Sequence, residues 1–175
     1  MTIQALPTVQ QFGSKFDDLI MGSDTALDFI AGNEGNDTLY GLAGDDKLNG
    51  NRGNDFIYGG IGNDRLMGGA GNDDLFGDSG NDRISGDQGN DRLTGGSGND
   101  TFIFVNKFHL DVITDFNPFD DTIQFAKKAF RTFEAVQAAW HQDGADVLID
   151  SPNGSVLRIE NVLLADLTSA DFLFA

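Results

Sequence analysis

A nine-residue period constrains this chain more than any other feature of its sequence. From residue 32 to residue 103, eight consecutive units follow one another without insertion or deletion. Positions one and four of every unit are Gly, position six is Asp, and position eight is Leu, Ile or Phe. Two weaker units, residues 13–21 and 22–31, precede them. A period kept this strictly indicates stacked structural repeats rather than low-complexity sequence.

Each unit combines a short strand with a turn. A single apolar residue at position eight, flanked by variable residues, predicts a three-residue strand with one side chain turned inward. The two fixed glycines free the turn from the usual φ limits, so that carbonyl oxygens can point into one concavity. The aspartate adds a carboxylate, and hard oxygen ligands of these two kinds are what Ca²⁺ prefers. The repeats contain neither Cys nor His, so softer or imidazole-seeking metals have no ligands in them.

The charge balance supports bound cations. Asp and Glu total 28 against 11 Lys and Arg, a formal net charge of −17. This acidity argues against nucleic acid and anionic membranes as primary partners. Six divalent cations would bring −17 to −5, whereas without them the carboxylates stack at the strand spacing of roughly 4.8 Å. Because each repeat offers one apolar residue against this repulsion, we expect the calcium-free repeats to be unfolded, and binding energy to become folding energy.

The unit resembles the calcium-binding nonapeptide of the RTX family, without a gap over residues 32–103 and weakly over residues 13–31. The resemblance implies an all-β fold, a right-handed parallel β-roll in which two repeats, 18 residues, complete one turn. It also implies that each Ca²⁺ lies between the loops of repeats n and n+2, on one edge of the roll. The paired aspartates of the strong units are then Asp37/Asp55, Asp55/Asp73, Asp73/Asp91, Asp46/Asp64, Asp64/Asp82 and Asp82/Asp100. With one or two sites from the weak units, we expect about six to eight ions.

The resemblance further implies ligands at positions one, three, four and six of each unit, with backbone carbonyls at the first three. These residues are Gly32, Glu34, Gly35, Asp37, Gly41, Ala43, Gly44, Asp46, Gly50, Arg52, Gly53, Asp55, Gly59, Ile61, Gly62, Asp64, Gly68, Ala70, Gly71, Asp73, Gly77, Ser79, Gly80, Asp82, Gly86, Gln88, Gly89, Asp91, Gly95, Ser97, Gly98 and Asp100. The chain departs from the family at position two, where Asn33, Leu42, Asn51, Asp78 and Asp87 replace Gly. We expect slightly altered geometry there rather than lost sites.

The 18-residue turn sorts the outward-facing residues onto two different faces. One face carries an aromatic column, Tyr40, Tyr58 and Phe76, with Phe56 beside it. The other face carries a basic column, Lys47, Arg65 and Arg83. One interpretation is a groove for an anionic polysaccharide on the basic face, or sugar stacking on the aromatic one. The other interpretation is that the aromatic face is covered by the C-terminal region, the N-terminal arm or another copy, while the basic residues balance nearby Asp.

Residues 104–175 lack the repeat and are expected to cap the end of the stack. The segment 111–116 alternates like a strand and is followed by an Asn-Pro turn. Residues 132–141 predict a helix with Thr132 as N-cap and with Phe133, Val136 and Trp140 on one face, ended by Asp143-Gly144. Two apolar segments on either side of Ser151-Pro152-Asn153-Gly154 predict a hairpin.

This region is similar to the segment that follows RTX repeats in secreted exoproteins. The similarity implies that the strand at 111–116 extends the roll and that Asp111, Asp115 and Asp121 complete a last calcium site, although Phe119 stands where such sequences often have Gly. Residues 171–175 are similar to the uncleaved C-terminal signal read by type I exporters, and a final buried strand is equally compatible with them. Residues 1–11 lack the basic start and apolar run of a signal peptide, so export is expected to depend on another signal.

Catalytic motifs are missing from the sequence. There is no Cys, and no HExxH, P-loop or G-x-S-x-G pattern. The segment 77–80 is similar to the surroundings of a serine-protease nucleophile, but it falls on repeat positions one to four. His109 and His141 lie outside the repeats without a recognisable partner pattern. We therefore expect no enzyme activity.

These observations predict an N-terminal arm with degenerate repeats at 1–31, a calcium-binding β-roll at 32–103 and a cap with a secretion signal at 104–175. The interpretation we favour is a non-catalytic, secreted, extracellular protein that folds on Ca²⁺ after type I export and binds polysaccharide or matrix. The alternative is the accessory C-terminal module of a larger secreted epimerase, protease or lipase. A membrane-active protein is less favoured, because no stretch approaches the roughly 18 apolar residues of a membrane span.

Overall fold

A computed structural model describes residues 9–25, 27–105 and 108–175 of the chain. The first eight residues of the expected N-terminal arm lie outside this range. The molecule is 51% strand and 7% helix, and it forms a parallel β-solenoid of about six turns. The predicted all-β roll is thus confirmed.

Within the described residues, the strands form two sheets that the chain visits alternately. The sheet that carries Lys47, Arg65 and Arg83, hereafter the basic sheet, consists in spatial order of β1 (Val9–Phe12), β3 (Asp28–Glu34), β5 (Lys47–Arg52), β7 (Arg65–Ala70), β9 (Arg83–Gln88), β11 (Thr101–Phe104), β13 (Thr122–Phe125) and β17 (Phe172–Phe174). The sheet that carries Tyr40, Tyr58 and Phe76, hereafter the aromatic sheet, consists of β14 (Trp140–Asp143), β15 (Asp146–Asp150), β16 (Val156–Ile159), β12 (Leu110–Ile113), β10 (Arg92–Ser97), β8 (Asp74–Ser79), β6 (Phe56–Ile61), β4 (Thr38–Ala43) and β2 (Leu19–Met21).

The register follows the repeat, since residues 18 positions apart lie side by side in parallel strands. Tyr40 pairs with Tyr58 on the aromatic sheet, and Lys47 pairs with Arg65 on the basic sheet. Two repeats therefore complete one turn. The position-eight side chains of both sheets meet between them and are fully buried: Leu39, Leu48, Ile57, Leu66, Leu75, Ile84, Leu93 and Phe102. One inward apolar residue per repeat is enough because each layer covers the next.

The repeat strands are six residues long rather than the predicted three. β4 pairs with β6 through Tyr40, skips Gly41, and resumes pairing at Leu42 opposite Gly60. The skipped glycine marks a bend, after which positions two and three hydrogen-bond to the neighbouring layer. The sequence pattern did not show this second segment, because no apolar residue marks it.

The C-terminal region continues both sheets and closes the end of the roll. β12 extends the aromatic sheet beside β10, and β13 extends the basic sheet beside β11. Aromatic rings fill the end of the core, and the cluster comprises Phe104, Phe108, Phe125, Phe130, Phe133, Trp140 and Phe172. The predicted hairpin is present, with β15 antiparallel to β16, and β17 forms the expected final strand.

The predicted helix at 132–141 is wrong in its extent. The helix α1 spans only Phe133–Gln137, with Thr132 as its N-cap. Trp140 begins β14 instead, opposite Ile149 of β15, and Gly144 lies in the turn between these strands, with φ +66°. Pairing with β15 overrides the local helix pattern, as tertiary contacts often do. Two 3₁₀ turns, Leu164–Asp166 and Ser169–Asp171, precede β17. No helix in the described part of the chain is long and apolar enough to cross a membrane.

Candidate calcium sites

The aspartates at position six form two ladders along the roll. In each ladder the backbone N–H of one aspartate donates to Oδ1 of the aspartate in the next layer, at N···O distances of 2.7–3.0 Å. The first ladder contains Asp18, Asp37, Asp55, Asp73, Asp91 and Asp111. The second ladder contains Asp28, Asp46, Asp64, Asp82, Asp100 and Asp121. All six expected pairs of the strong repeats are adjacent rungs.

The two ladders lie where the chain crosses between the sheets, one at each crossing edge. Asp37 lies between β3 of the basic sheet and β4 of the aromatic sheet, whereas Asp46 lies between β4 and β5. The single edge that the resemblance implied is therefore replaced by two edges. The alternation follows from the two-repeat turn, which sends successive loops to opposite sides.

The second carboxylate oxygen of most rungs is buried and has no hydrogen-bond partner in the described residues. These unpaired Oδ2 atoms belong to Asp37, Asp46, Asp55, Asp64, Asp73, Asp82, Asp91, Asp100 and Asp111. Their residues are at most 2% exposed. A buried, charged oxygen without a partner is strongly destabilising, so each of these atoms requires a cation or a proton.

Backbone carbonyls converge on the same points as these oxygens. A Cβ atom on Gly41 would overlap the carbonyl oxygen of Gly59 and lie 2.7 Å from Oδ2 of Asp46. The space that a side chain would fill is thus lined by one carboxylate and one carbonyl from the next layer. Gly53 at position four has φ +129°, and a Cβ there would overlap the carbonyl oxygen of Gly35. Glycine is therefore required at both positions, and oxygen atoms surround each one.

The three expected carbonyl positions differ in their availability. Position-one carbonyls such as that of Gly59 face Oδ2 of the preceding layer. Position-three carbonyls already accept a backbone N–H, as Ile61 does from Gly44 at 2.9 Å and Ala70 from Gly53 at 2.9 Å. A carbonyl has two lone pairs, so position three keeps one for a cation. Position one and the aspartate are thus the best placed ligands.

Burial and neighbouring charges raise the pKa values of ten rungs, which are Asp37, Asp46, Asp55, Asp64, Asp73, Asp82, Asp91, Asp100, Asp111 and Asp121. Desolvation is the first cause throughout, and the carboxylates of adjacent rungs add to it. The pKa of Asp55 is raised to about 6, those of Asp73 and Asp82 to about 7, and that of Asp111 to about 9. The folded roll therefore disfavours its own ionised carboxylates unless cations neutralise them.

The donor set fits a hard divalent cation. Among the described residues, no three His, Cys, Asp or Glu side chains gather around one point. A cation held in these ladders would have one or two carboxylates and backbone carbonyls as ligands, a set that suits Ca²⁺.

Position two of the repeat requires a left-handed backbone conformation. All eight of its residues have positive φ, from +69° at Asp87 to +112° at Gly69. The non-glycine residues stay at the low end, as Leu42 does at +76°. The expected small change of geometry is therefore a shift within the left-handed region, which Asn and Asp tolerate better than Leu.

A separate ladder, formed by the side chains of the position-five residues, was not predicted from the sequence. Its side chains accept the backbone N–H of the residue 18 positions later, for example Asn54 Oδ1 from Asn72 at 2.7 Å and Asp45 Oδ1 from Asn63 at 2.8 Å. The other residues that accept at this spacing are Asn36, Asn63, Asn72 and Asn81, and Asn90 accepts from Leu110, 20 positions later. The signal was present, since position five is Asn in every strong unit except at Asp45. These bonds run opposite to the aspartate ladder and hold the loops in register.

The residues expected to form one last calcium site lie in two places. Asp111 ends the first ladder, and Asp121 ends the second. Asp115 accepts the backbone N–H groups of Gly95 and Gly96, at 2.9 and 2.8 Å, near Asp121. The expected three-carboxylate site is therefore wrong, because the two ladders lie at different crossings of the roll.

The outer faces have the columns that the period predicted. Tyr40, Tyr58 and Phe76 stack with ring centroids 4.8 Å apart. The C-terminal region does not cover this face, since it caps the roll end-on and Phe56 is 46% exposed. On the basic sheet, Arg65 is paired in register with Lys47 and with Arg83.

A comparison with protein families identifies the repeat. The family model of the RTX calcium-binding nonapeptide repeat (4 copies) matches residues 27–57, 41–75 and 67–102. No curated protein sequence matches the chain. Among solved structures, the extracellular lipase LipA of Serratia marcescens is 19% identical with a TM-score of 0.48, and the match covers 95% of this chain and 40% of the lipase.

Two modules of an epimerase are similar in the same way. The AlgE6R2 subunit of the Azotobacter vinelandii mannuronan C5-epimerase is 24% identical, with a TM-score of 0.45 over 94% of this chain and 91% of that one. The AlgE6R3 subunit is 26% identical, with a TM-score of 0.41 over 93% and 81%.

Proposed function

On the match of residues 27–102 to the model of the RTX calcium-binding nonapeptide repeat, we propose that the chain is a non-catalytic extracellular protein. Its roll folds when Ca²⁺ binds after type I export, and the folded roll then binds an anionic polysaccharide or matrix. The two ladders hold the ions, with one carboxylate and position-one carbonyls in each layer.

The observation that carries this proposal is the set of buried, unpaired aspartate oxygens. Nine such atoms lie in the described residues, within a chain of net charge −17. Neutralising them with a divalent cation supplies the energy that one apolar residue per repeat does not. Calcium is consequently structural here, and no described side chain is assigned a catalytic role.

Type I export explains why folding would depend on calcium. Cytosolic Ca²⁺ is scarce, so the ladders lack their cations and the chain stays unfolded for passage. Outside the cell, Ca²⁺ at roughly millimolar levels matches weak extracellular sites. The last strand, β17, pairs with β13 and buries Phe172 in the aromatic cluster. Asp171 and Phe172 of a signal at 171–175 are therefore accessible before folding and buried after it.

The basic column supports a polyanionic ligand. Lys47, Arg65 and Arg83 lie side by side, although like charges opposite one another destabilise a sheet. The ion pairs of the described residues use other cations, such as Arg52 with Glu34 and Arg92 with Asp74. A row of cations at strand spacing fits a chain with regularly repeated carboxylates or sulfates.

A binding assay with the calcium-loaded protein tests the ligand. We expect a polyuronate to bind with an affinity that falls as salt rises, and replacement of Lys47, Arg65 and Arg83 by Gln to abolish binding. The matched control replaces the ion-paired Arg52, Arg92 and Arg158 by Gln, which removes the same charge. Equal loss in both variants would show that only net charge matters and would overturn the assignment to the column.

A second candidate is the accessory module of a larger secreted enzyme. The observation that favours it is an apolar surface at the first layers of the roll, where Phe12, Phe16 and Leu19 are each at least 67% exposed. An intact gene whose translation begins at Met1 would contradict this candidate, whereas a catalytic domain encoded upstream would support it. Dye release from liposomes tests the remaining, membrane-active alternative.

A further inference from the structure

We propose that a groove on the first layers of the basic sheet binds the apolar face of a sugar ring, beside the cations that hold the carboxylates of the same polymer. This inference rests on the proposed function and narrows its ligand to a polymer of uronic acids, as opposed to a polyanion without sugar rings. The groove, hereafter the apolar groove, has a volume of about 300 Å³, and its lining includes Phe12, Phe29, Ala31, Lys47, Asn49 and Met67.

The apolar groove forms because two short side chains lie between two long ones in one column of the basic sheet. Phe12 pairs with Ala31 in the next strand. Ala31 pairs with Asn49, and Asn49 pairs with Met67. Phe12 and Met67 are thus three strand spacings apart, roughly 14 Å. The gap between them is at the small end of ligand-binding cavities, which suits a single ring.

Lys47 connects the apolar groove to the basic column. Its Nζ lies over the ring of Phe29, 4.8 Å from the ring centroid. The wall of the groove is almost entirely apolar although Lys47 and Asn49 line it, so these two residues contribute their carbon atoms to it. A ligand that fills the groove therefore needs an apolar surface and an anionic group within reach of Lys47.

The cations of the basic column are not neutralised by carboxylates. Lys47 is held by the Phe29 ring, and Arg83 donates to Gln124 Oε1 at 3.3 Å. Within the described residues, no ion pair involves Lys47, Arg65 or Arg83. Their charges are therefore available to an anionic ligand that runs along the sheet.

A uronic-acid polymer combines the two properties that this surface selects. Each of its units has a ring with an apolar C–H face and one carboxylate, so one ring can fill the apolar groove while the following carboxylates meet the basic column. An acidic polypeptide has the carboxylates without the ring. A second copy of this chain is a poorer occupant, because two molecules of formal net charge −17 repel each other.

Phe12 is the aromatic residue of the apolar groove that is free to contact a sugar. Its side chain is 69% exposed, and it contacts no other ring in the described part of the chain. Both ring faces of Tyr58, in contrast, are covered by Tyr40 and Phe76. The electron-rich face of an exposed ring attracts the C–H bonds of a sugar, so sugar stacking is assigned to Phe12 and not to the aromatic column.

The test compares two carboxylate polymers, one with sugar rings and one without. Polygalacturonate and poly-L-glutamate of similar length are titrated into the calcium-loaded, full-length protein in a calorimeter, at low and at high salt. Phe12→Ala is expected to weaken the binding of polygalacturonate by about three- to tenfold and to leave the binding of polyglutamate unchanged. This loss should be similar at both salt concentrations, because salt screens charges and not apolar contacts, whereas the effect of Lys47→Gln should shrink at high salt.

Two further variants control for folding and for general apolar exposure. Phe16→Ala is the matched control, because Phe16 is 67% exposed but does not line the apolar groove, and it should bind polygalacturonate like the wild type. Ala31→Leu keeps Phe12 and fills the groove, so it should weaken polygalacturonate binding as Phe12→Ala does. It decides the question if Phe12→Ala fails to fold.

Unchanged polygalacturonate binding in Phe12→Ala and Ala31→Leu, together with its loss when the basic column is replaced by Gln, would overturn the inference and leave the proposed function intact. Equal losses in Phe12→Ala and Phe16→Ala, or equal losses for the two polymers, would also overturn it. A dimer that depends on Phe12 in analytical ultracentrifugation would place a second copy in the groove and contradict the sugar. A wild-type protein that bound neither polymer would contradict the proposed ligand itself.

Discussion

The backbone N–H of Asp55 donates to Oδ1 of Asp73 at 2.8 Å, and this bond joins two repeats 18 residues apart. The two oxygens of the Asp73 carboxylate therefore have different roles. Oδ1 fixes the register of adjacent layers, while Oδ2 is buried without a partner. Folding and cation binding are therefore coupled at the nine rungs whose Oδ2 is unpaired, because both oxygens are satisfied only when the layers are stacked and a cation is present.

Asp73→Asn separates these two roles. The amide oxygen still accepts the N–H of Asp55, but the charge that holds the cation is lost. A hydrogen bond or contact to a charged group contributes about 1.5–3 kcal/mol, so we expect the affinity of that site to fall by about 10- to 100-fold. Isothermal calorimetry with Ca²⁺ measures it.

The control for that variant is Asp74→Asn. Asp74 is the next residue, faces outward and pairs with Arg92 at 3.8 Å. Its replacement removes the same charge from a surface pair that contributes little, so calcium binding should stay close to wild type. Equal losses in the two variants would show that overall acidity, not the ladder, determines binding.

The pH dependence of the calcium-free protein follows from the raised pKa values. Folding lifts the pKa of Asp55 to about 6 and those of Asp73 and Asp82 to about 7, mainly by desolvation. The folded state therefore binds protons more tightly than the unfolded chain, whose Asp pKa is about 3.9. Protons stabilise the roll fully below about pH 4, and this stability is lost as the pH rises through 6 to 7.

We accordingly expect protein in EDTA to gain β-structure when it is acidified from pH 8 to pH 4.5. Calcium-loaded protein should instead lose ions over the same range, because protons compete for the same oxygens. Far-UV circular dichroism and a calcium-sensitive dye follow the two effects. A calcium-free roll that unfolded further on acidification would contradict the burial of the ladders.

Leu42→Gly is expected to stabilise the calcium-loaded protein. Leu42 is held at φ +76°, where other repeats have Gly60 at +106° and Gly69 at +112°. Relief of this strain outweighs the extra flexibility of glycine in the unfolded chain by about 0.5–1 kcal/mol. Thermal unfolding at fixed Ca²⁺ measures the change. The reciprocal variant, Gly60→Ala, should destabilise, because its Cβ would overlap the Leu42 carbonyl; a stabilising effect there would refute the strain argument.

The strict period explains why much of the fold could be predicted from the sequence. Once 18 residues make a turn, the stacking of Tyr40 on Tyr58 and the pairing of Lys47 with Arg65 follow from arithmetic. The paired aspartates follow in the same way. What the period could not reveal is which oxygen of each carboxylate is free, since that depends on backbone N–H groups in the neighbouring layer.

The cap was predicted less well because nothing in it repeats. Trp140 fits the apolar face of a helix by spacing, yet it begins a strand paired with β15. Asp111 and Asp121 are close in sequence and have similar surroundings, yet they end different ladders. Only the three-dimensional path, which sends successive loops to opposite edges, separates them.

Far-UV circular dichroism of the EDTA-stripped protein during a calcium titration, with Mg²⁺ as control, tests the central claim most directly. We predict a cooperative transition from coil to β-structure that Ca²⁺ produces and Mg²⁺ does not, because Mg²⁺ dehydrates reluctantly and demands a smaller octahedral site. A chain that is already folded in EDTA at neutral pH and is unchanged by Ca²⁺ would contradict the account, since the ladders would then be stable without their cations.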